Sequence, residues 1–168
     1  MFVRDFLHVS QPFEKVAPCF VNDATWLVPL AEEAVLAART VASRMGDGAD
    51  LGTRGAAATA AAADPTAPTR GRVRCEVGPV RVRSDGLLVP LWLVNEGEDP
   101  ALPDLSGDLE IAPLGSWLSL LAFSATYPRS SQEPHTIRRI ERATEAGVRT
   151  FLTGIASVLT ETTFGSAM

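Results

Sequence analysis

From about Pro134 to Thr160 the chain carries one continuous helical pattern, and few folds can accommodate it. Ile137, Ile140, Thr144, Val148, Phe151, Ile155 and Val158 recur at intervals of three and four residues. Arg138, Arg139, Glu141, Arg142, Glu145 and Arg149 fall elsewhere around the axis. A helix of that length rises ~40 Å, enough to cross a whole small domain. Its apolar stripe has to be covered by another layer of structure. Glu145 stands four residues before Arg149, the favourable order for an intrahelical ion pair. Gly147 and Gly154 each cost about 1 kcal/mol against alanine within a helix. Gly147 borders the stripe, where it either lets a strand or a ligand approach closely or is tolerated background.

The candidates for the covering layer are strands. Residues 2–9, FVRDFLHV, have the aromatic and β-branched content of a strand. RVRCEVGPVRVR at 72–83 alternates: Val73, Cys75 and Val77 share one face, and Arg72, Arg74 and Glu76 the other. Gly78-Pro79 interrupts this ribbon, and Val80 and Val82 then alternate with Arg81 and Arg83. Ser84-Asp85-Gly86 is a tight-turn signal. LLVPLWLV at 87–94 is apolar at both parities, as in a strand covered on both sides for part of its length. Leu105, Leu109 and Ile111 alternate with Ser106, Asp108 and Glu110, and Pro113-Leu114-Gly115 turns the chain. WLSLLAFSATY at 117–127 is the last strand, with large apolar residues at both parities.

Between the first strand and the others lie two helical segments. Ser10-Gln11-Pro12 signals the start of a short helix running to about Val21, and Asn22-Asp23 breaks it. TWLVPLAEEAVLAARTVASRM restarts a helix whose stripe is Leu30, Ala34, Ala38, Val41 and Met45. From 46 to 71 the chain is rich in Ala, Gly and Pro, with no large apolar residue beyond Leu51. Such a stretch buries little surface and is expected to be a flexible insertion within one domain spanning 1–168.

At 168 residues, 46% hydrophobic and 21% charged, the chain has the composition of an ordinary globular domain. Its net charge of −5 argues against nonspecific nucleic-acid binding. No apolar run approaches the ~20 residues that span a bilayer, so no integral membrane association is expected. The opening MFVRDFLHVS alternates charged and apolar residues and does not read as a signal peptide. Cys19 and Cys75 match no zinc or redox spacing and are expected to be free thiols in a reducing cytoplasm.

The order strand, two helices, antiparallel strands and one long terminal helix resembles the helix-grip fold of the START-like (SRPBCC, Bet v 1-like) superfamily. At residue level the resemblance is closer to actinobacterial members of unassigned function. It is carried by Trp26-Leu27 opening the second helix, RCEVGPVRVRSDGLLVPLWLV across the first hairpin, GDLEIAPLG at 107–115 and RATEAGVRTFLTGIA at 142–156. It covers most of the chain except the Ala-rich insertion, and YPRSSQEPHTIRRI departs from its pattern. The resemblance implies an α+β fold: a curved antiparallel sheet wrapped around the C-terminal helix, with a cavity between them. Superfamily members commonly hold a lipid, sterol or polyketide there; some are cyclases, hydrolases or dehydratases, and fold alone does not choose among these.

On that reading the sheet would contribute Val73, Cys75, Val77, Leu109 and Ile111 to the lining, with Tyr127 placed to orient a polar head. The helix would contribute Thr144, Val148, Phe151 and Ile155. The same residues would equally make a plain core. If they line an open space, Phe151→Ala should cost under ~3 kcal/mol, less than a packed ring costs.

No catalytic cluster emerges. His8 and His135 have no metal-ligand spacing around them, and neither metal nor cofactor is expected. Cys75 alternates with valines and packs as a small apolar residue. Asp108 and Glu110 share the wet face of their strand. Arg70, Arg72, Arg74, Arg81 and Arg83 form the strongest charge feature, either an anion patch or the solvated face of a ribbon. Three functions remain: a module that binds an apolar small molecule, a polyketide cyclase or dehydratase-type enzyme, and a protein-interaction domain with a filled core whose partner is unknown.

Overall fold

A computed structural model of the chain describes residues 1–47, 73–95, 103–128 and 134–165. Most of the Ala-rich stretch 46–71, together with Arg70 and Arg72, lies outside the described residues. The elements in order are β1 (Phe2–Val9), α1 (Phe13–Asn22), α2 (Leu27–Asp47), β2 (Val73–Val77), β3 (Arg81–Arg83), β4 (Gly86–Asn95), β5 (Leu105–Pro113), β6 (Ser119–Thr126) and α3 (Pro134–Gly165). The strands form one antiparallel sheet in the order β1-β6-β5-β4-β2, with β3 also paired to β4. α3 lies along β1 and β6, and α2 packs on α3 and on β2. The two long helices therefore reach from one edge of the sheet to the other. This is the helix-grip arrangement that the element order implies.

The stripe on α3 is broader than the sequence pattern. Ile140, Ala143, Thr144, Val148, Phe151, Leu152, Ile155 and Leu159 are buried, whereas Ile137 and Val158 are only half-buried. A helix packed on both a sheet and a second helix buries more than one narrow seam. On α2 the phase differs from the expected one: Leu27, Ala31, Ala34, Val35, Ala38 and Ala42 are buried, and Leu30, Val41 and Met45 are half-buried. The small residues face α3 because the helices approach closely there. A Cβ at Gly147 would stand 3.1 Å from the Ala34 carbonyl oxygen and 3.2 Å from the Ala38 Cβ. Gly147 thus admits the close approach of a helix.

Two strand expectations are corrected. Val82 is exposed together with Arg81 and Arg83, because β3 is only three residues long and pairs only with Gly86–Leu88 at the start of β4. The last strand begins at Ser119, leaving Trp117 78% exposed in the turn before it. Along β6 Ser119, Leu121, Phe123 and Ala125 are buried and the buried Tyr127 continues the series beyond the strand, while at the other parity Leu120 and Ser124 are half-buried and Ala122 is buried. β4 is buried at every residue from Leu87 to Leu91, as a strand covered on both sides requires. Pro90 sits within it, and its carbonyl accepts from the Gly78 N–H at 2.8 Å. In a strand the N–H and C=O of one residue project to the same side. The donor that proline lacks therefore falls opposite the Gly78-Pro79 break, where no regular ladder needs it.

At the other end of the core, Trp26 ties α2 to α1. Its indole N–H donates to the Cys19 carbonyl at 3.0 Å, and its ring lies 5.2 Å from that of Phe20. Asp23 accepts from both the backbone N–H and the hydroxyl of Thr25, which turns the chain between the helices.

Candidate functional site

α2, the sheet and α3 meet around a small cavity of about 30 Å³. α2 contributes Ala34, Val35 and Ala38; the sheet contributes Leu93, Leu105 and Phe123; α3 contributes Thr144, Gly147, Val148 and Phe151. The strand pairing explains the sheet side, since Leu93 and Leu105 are direct partners in the β4–β5 register. Phe123 and Phe151 meet edge to face, with centroids 5.7 Å apart at 74°. The space holds about one water molecule, well short of the ~300 Å³ of pockets that enclose a drug-sized ligand.

Of the ten residues singled out from the sequence, Thr144, Val148 and Phe151 line this cavity. Leu109, Ile111 and Ile155 are fully buried in the adjoining core. Cys75 and Val77 are partly buried and pack against that core from β2. Val73 pairs with Asn95, and its side chain lies outside the described residues. Tyr127 is buried past the end of β6 and is not part of the lining. Burial, and then the nearby Glu141 and Glu145, push its phenol above the usual tyrosine range. Sequence reasoning missed the whole α2 wall. The signal available was the spacing of Ala34, Ala38 and Gly147, small residues that mark a close helix contact.

Among the described residues Thr144 is the one polar residue of the lining. It is 2% exposed, and its Oγ1 is buried without a hydrogen-bond partner. An unmet buried hydroxyl costs ~1–3 kcal/mol. Among the described residues the lining holds no ionisable side chain.

Outside the core, β1 and α3 enclose an open groove of about 750 Å³ lined by Phe2, Val3, Arg4, Asp5, Arg142, Glu145, Ala146 and Arg149. Arg149 pairs with Asp5 of β1 at 3.2 Å. Both signs of charge are mixed along it, and the pair is too exposed to stabilise much. His8 is exposed, 5.8 Å from the Phe6 ring, and His135 is exposed at the start of α3. Asp108 is exposed and Glu110 half-buried, at positions alternating with the buried Leu109 and Ile111. Arg74, Arg81 and Arg83 are exposed, and Arg74 pairs with Glu76. Among the described residues no cluster of three His, Cys, Asp or Glu is placed to hold a metal ion. Among them, too, no helix is long and apolar enough to cross a membrane.

Cys19 on α1 and Cys75 on β2 are free thiols. Burial first, and then Glu32 and Glu76, push the Cys75 thiol up to about 11. The thiolate is the attacking form. Native Cys75 is therefore expected to alkylate at neutral pH at least about tenfold more slowly than in the urea-unfolded chain, measured by mass spectrometry of the Cys75 peptide. Equal rates would show an ordinary thiol. The raised value also sets a sign: between about pH 9 and 11 the folded chain keeps a proton that the unfolded chain releases, so stability falls as pH rises through that window.

No protein-family model matches the sequence, and no curated protein sequence does either. Solved structures align along most of the chain at low identity. A hypothetical protein from Helicobacter pylori is 12% identical over 94% of this chain and 87% of its own, with a TM-score of 0.47. A point mutant of norcoclaurine synthase from Thalictrum flavum, in complex with a transition-state analogue, is 9% identical over 97% and 96%, with a TM-score of 0.44. Ara h 8.0201 is 8% identical over 96% and 98%, with a TM-score of 0.41. Likenesses this loose carry no functional argument, and the fold stands on the sheet order and helix placement of the chain itself.

Proposed function

We propose that this chain is a single START-like domain that binds one small apolar molecule between the inner face of its sheet and the helices α2 and α3. The observation that carries this reading is an apolar lining drawn jointly from α2, the sheet and α3. The cavity is narrow as it stands, so an occupant larger than a few atoms requires α2 to draw away from α3. The seam between them at Ala34, Ala38 and Gly147 is made of small residues, which have little side chain to repack when the helices part. The reading places the protein in the cytoplasm, where thiols such as Cys19 and Cys75 remain reduced. It calls for no cofactor. A cyclase or dehydratase reading lacks an acid or base in this lining.

The small volume favours a second reading, a filled core in a domain that acts through its surface. Native mass spectrometry and titration with a neutral apolar fluorophore separate the two. The binding reading expects a co-purified apolar mass, or one fluorophore bound per chain with micromolar affinity. Protein that carries no such mass and leaves the fluorophore free would establish the filled core.

A further inference from the structure

Among the described residues β1 pairs only with β6, so its other side is a free edge of the sheet. The Met1 carbonyl accepts from the Tyr127 N–H at 3.0 Å. The N–H and C=O of one residue project to the same side of a strand, and the side alternates along it. The odd-numbered residues of β1 therefore bond β6, and the N–H and C=O of Phe2, Arg4, Phe6 and His8 face the free edge. One of these donors is already taken. The Phe6 N–H donates to Asp5 Oδ1 at 2.9 Å, while Asp5 Oδ2 accepts from Arg149 at 3.2 Å. Asp5 is half-buried on the inner face with Val3 and Val9, and an inward charge is one way to stop an edge from pairing along its whole length. The stop acts at Phe6 and leaves Phe2 and Arg4 open.

That open stretch is one wall of the groove already described. Phe2, Val3, Arg4 and Asp5 face Arg142, Glu145, Ala146 and Arg149 of α3 across it. A free strand edge beside a helix is a setting in which an extended peptide adds to a sheet. The charges favour an acidic one. Asp5 engages Arg149, whereas Arg4 and Arg142 make no ion pair among the described residues. Glu145 is the remaining carboxylate of the lining, so the groove holds a positive excess on a chain of net charge −5. We propose that this groove takes a short extended acidic segment of a partner protein, added as a strand on Phe2 and Arg4. Main-chain hydrogen bonds to those two residues hold the segment. An acidic side chain pairs with Arg142 or Arg4, and the exposed Phe2 ring offers an apolar cross-strand neighbour. A second copy of the chain fits less well, because pairing β1 with itself along its length meets the Asp5 stop of both copies. The surface is separate from the cavity and stands whether or not the cavity takes a ligand.

The test is fluorescence anisotropy of the full chain, at low salt, with a fluorescein-labelled hexapeptide alternating valine and glutamate. The parent is expected to bind it one to one, and the peptide with lysine in place of glutamate about tenfold or more weakly. Arg142→Ala, a change on the exposed face of α3, is expected to lose about threefold in affinity with its unfolding midpoint unchanged. Strand addition has its own signature, since alternate amides of an added strand face β1. N-methylation of one alternate set of amides is expected to weaken binding about tenfold or more, and N-methylation of the other set to leave it intact. No binding of the hexapeptide overturns the proposal. Equal binding of both methylated peptides and the unmethylated one rules out strand addition, and equal binding of the lysine peptide rules out an acidic partner. A parent that self-associates and loses the peptide as its concentration rises would make the second copy the occupant instead.

Discussion

Phe151→Ala is expected to lower the free energy of unfolding by about 3–5 kcal/mol, the range for deleting a packed aromatic ring. The sequence alone suits a smaller loss, because a ring on the wall of an open cavity lacks partners on one side. The structure gives the ring those partners. Phe151 is 4% exposed and meets Phe123 edge to face, a contact worth ~0.5–1.5 kcal/mol beyond its buried area. A space of about 30 Å³ beside it relieves few of its contacts. Urea unfolding should show the midpoint falling at an unchanged slope. The deletion also opens room for a ligand, so a neutral apolar fluorophore should bind the variant about tenfold more tightly than the parent. A loss below ~2 kcal/mol would mean that the ring faces a larger space than the structure contains.

The second large effect belongs to the turn into β4. Gly86 has φ +155, and a Cβ there would overlap the Ile111 carbonyl oxygen and stand 3.2 Å from the Ala112 Cα. These are backbone atoms of the paired strand and cannot step aside as a side chain can. Gly86→Ala is therefore expected to cost at least ~3 kcal/mol, combining backbone strain with displacement of the strand pair. Gly115→Ala provides the control. Gly115 also has positive φ, +79, but nothing lies within 4 Å of its added Cβ. Its cost should be only the ~1–2 kcal/mol of a left-handed non-glycine residue. Equal losses in urea unfolding of the two variants would remove the steric argument at Gly86.

How much of this was legible from sequence depended on how sharply each segment's pattern had a phase. In α3, charged residues separate Ile140, Thr144, Val148, Phe151 and Ile155, so the buried face could be read directly. In α2 alanines occur on every side, and the pattern could not tell Ala31, Val35 and Ala42 from Val41 and Met45. β4 was recognisable because a run apolar at both parities suits only a covered strand. β6 had the same ambiguity and no charge to resolve it; pairing with β1 and β5 decides it. The cavity was the least legible feature. Its walls come from α2, three strands and α3, and Leu93 and Leu105 become neighbours only once the β4–β5 register is known. The open groove was hidden for the same reason, since Asp5 and Arg149 stand 144 residues apart.

The place of β1 in the sheet also bears on the chain while it is being made. Phe2 pairs with Thr126 and Val9 with Ser119, so the first strand takes as its neighbour the last one. At ~5–20 residues per second, a ribosome needs roughly 5–25 s to pass from one to the other. Throughout that interval Val3, Val9 and the outward Phe2 and Phe6 have no strand to join. Contacts of such long sequence separation also slow folding, because the loop between them must close before they contribute. The nascent chain thus presents a sticky, unpaired β1 until β6 has been made, and the grip on the long helix closes only after α3 has followed.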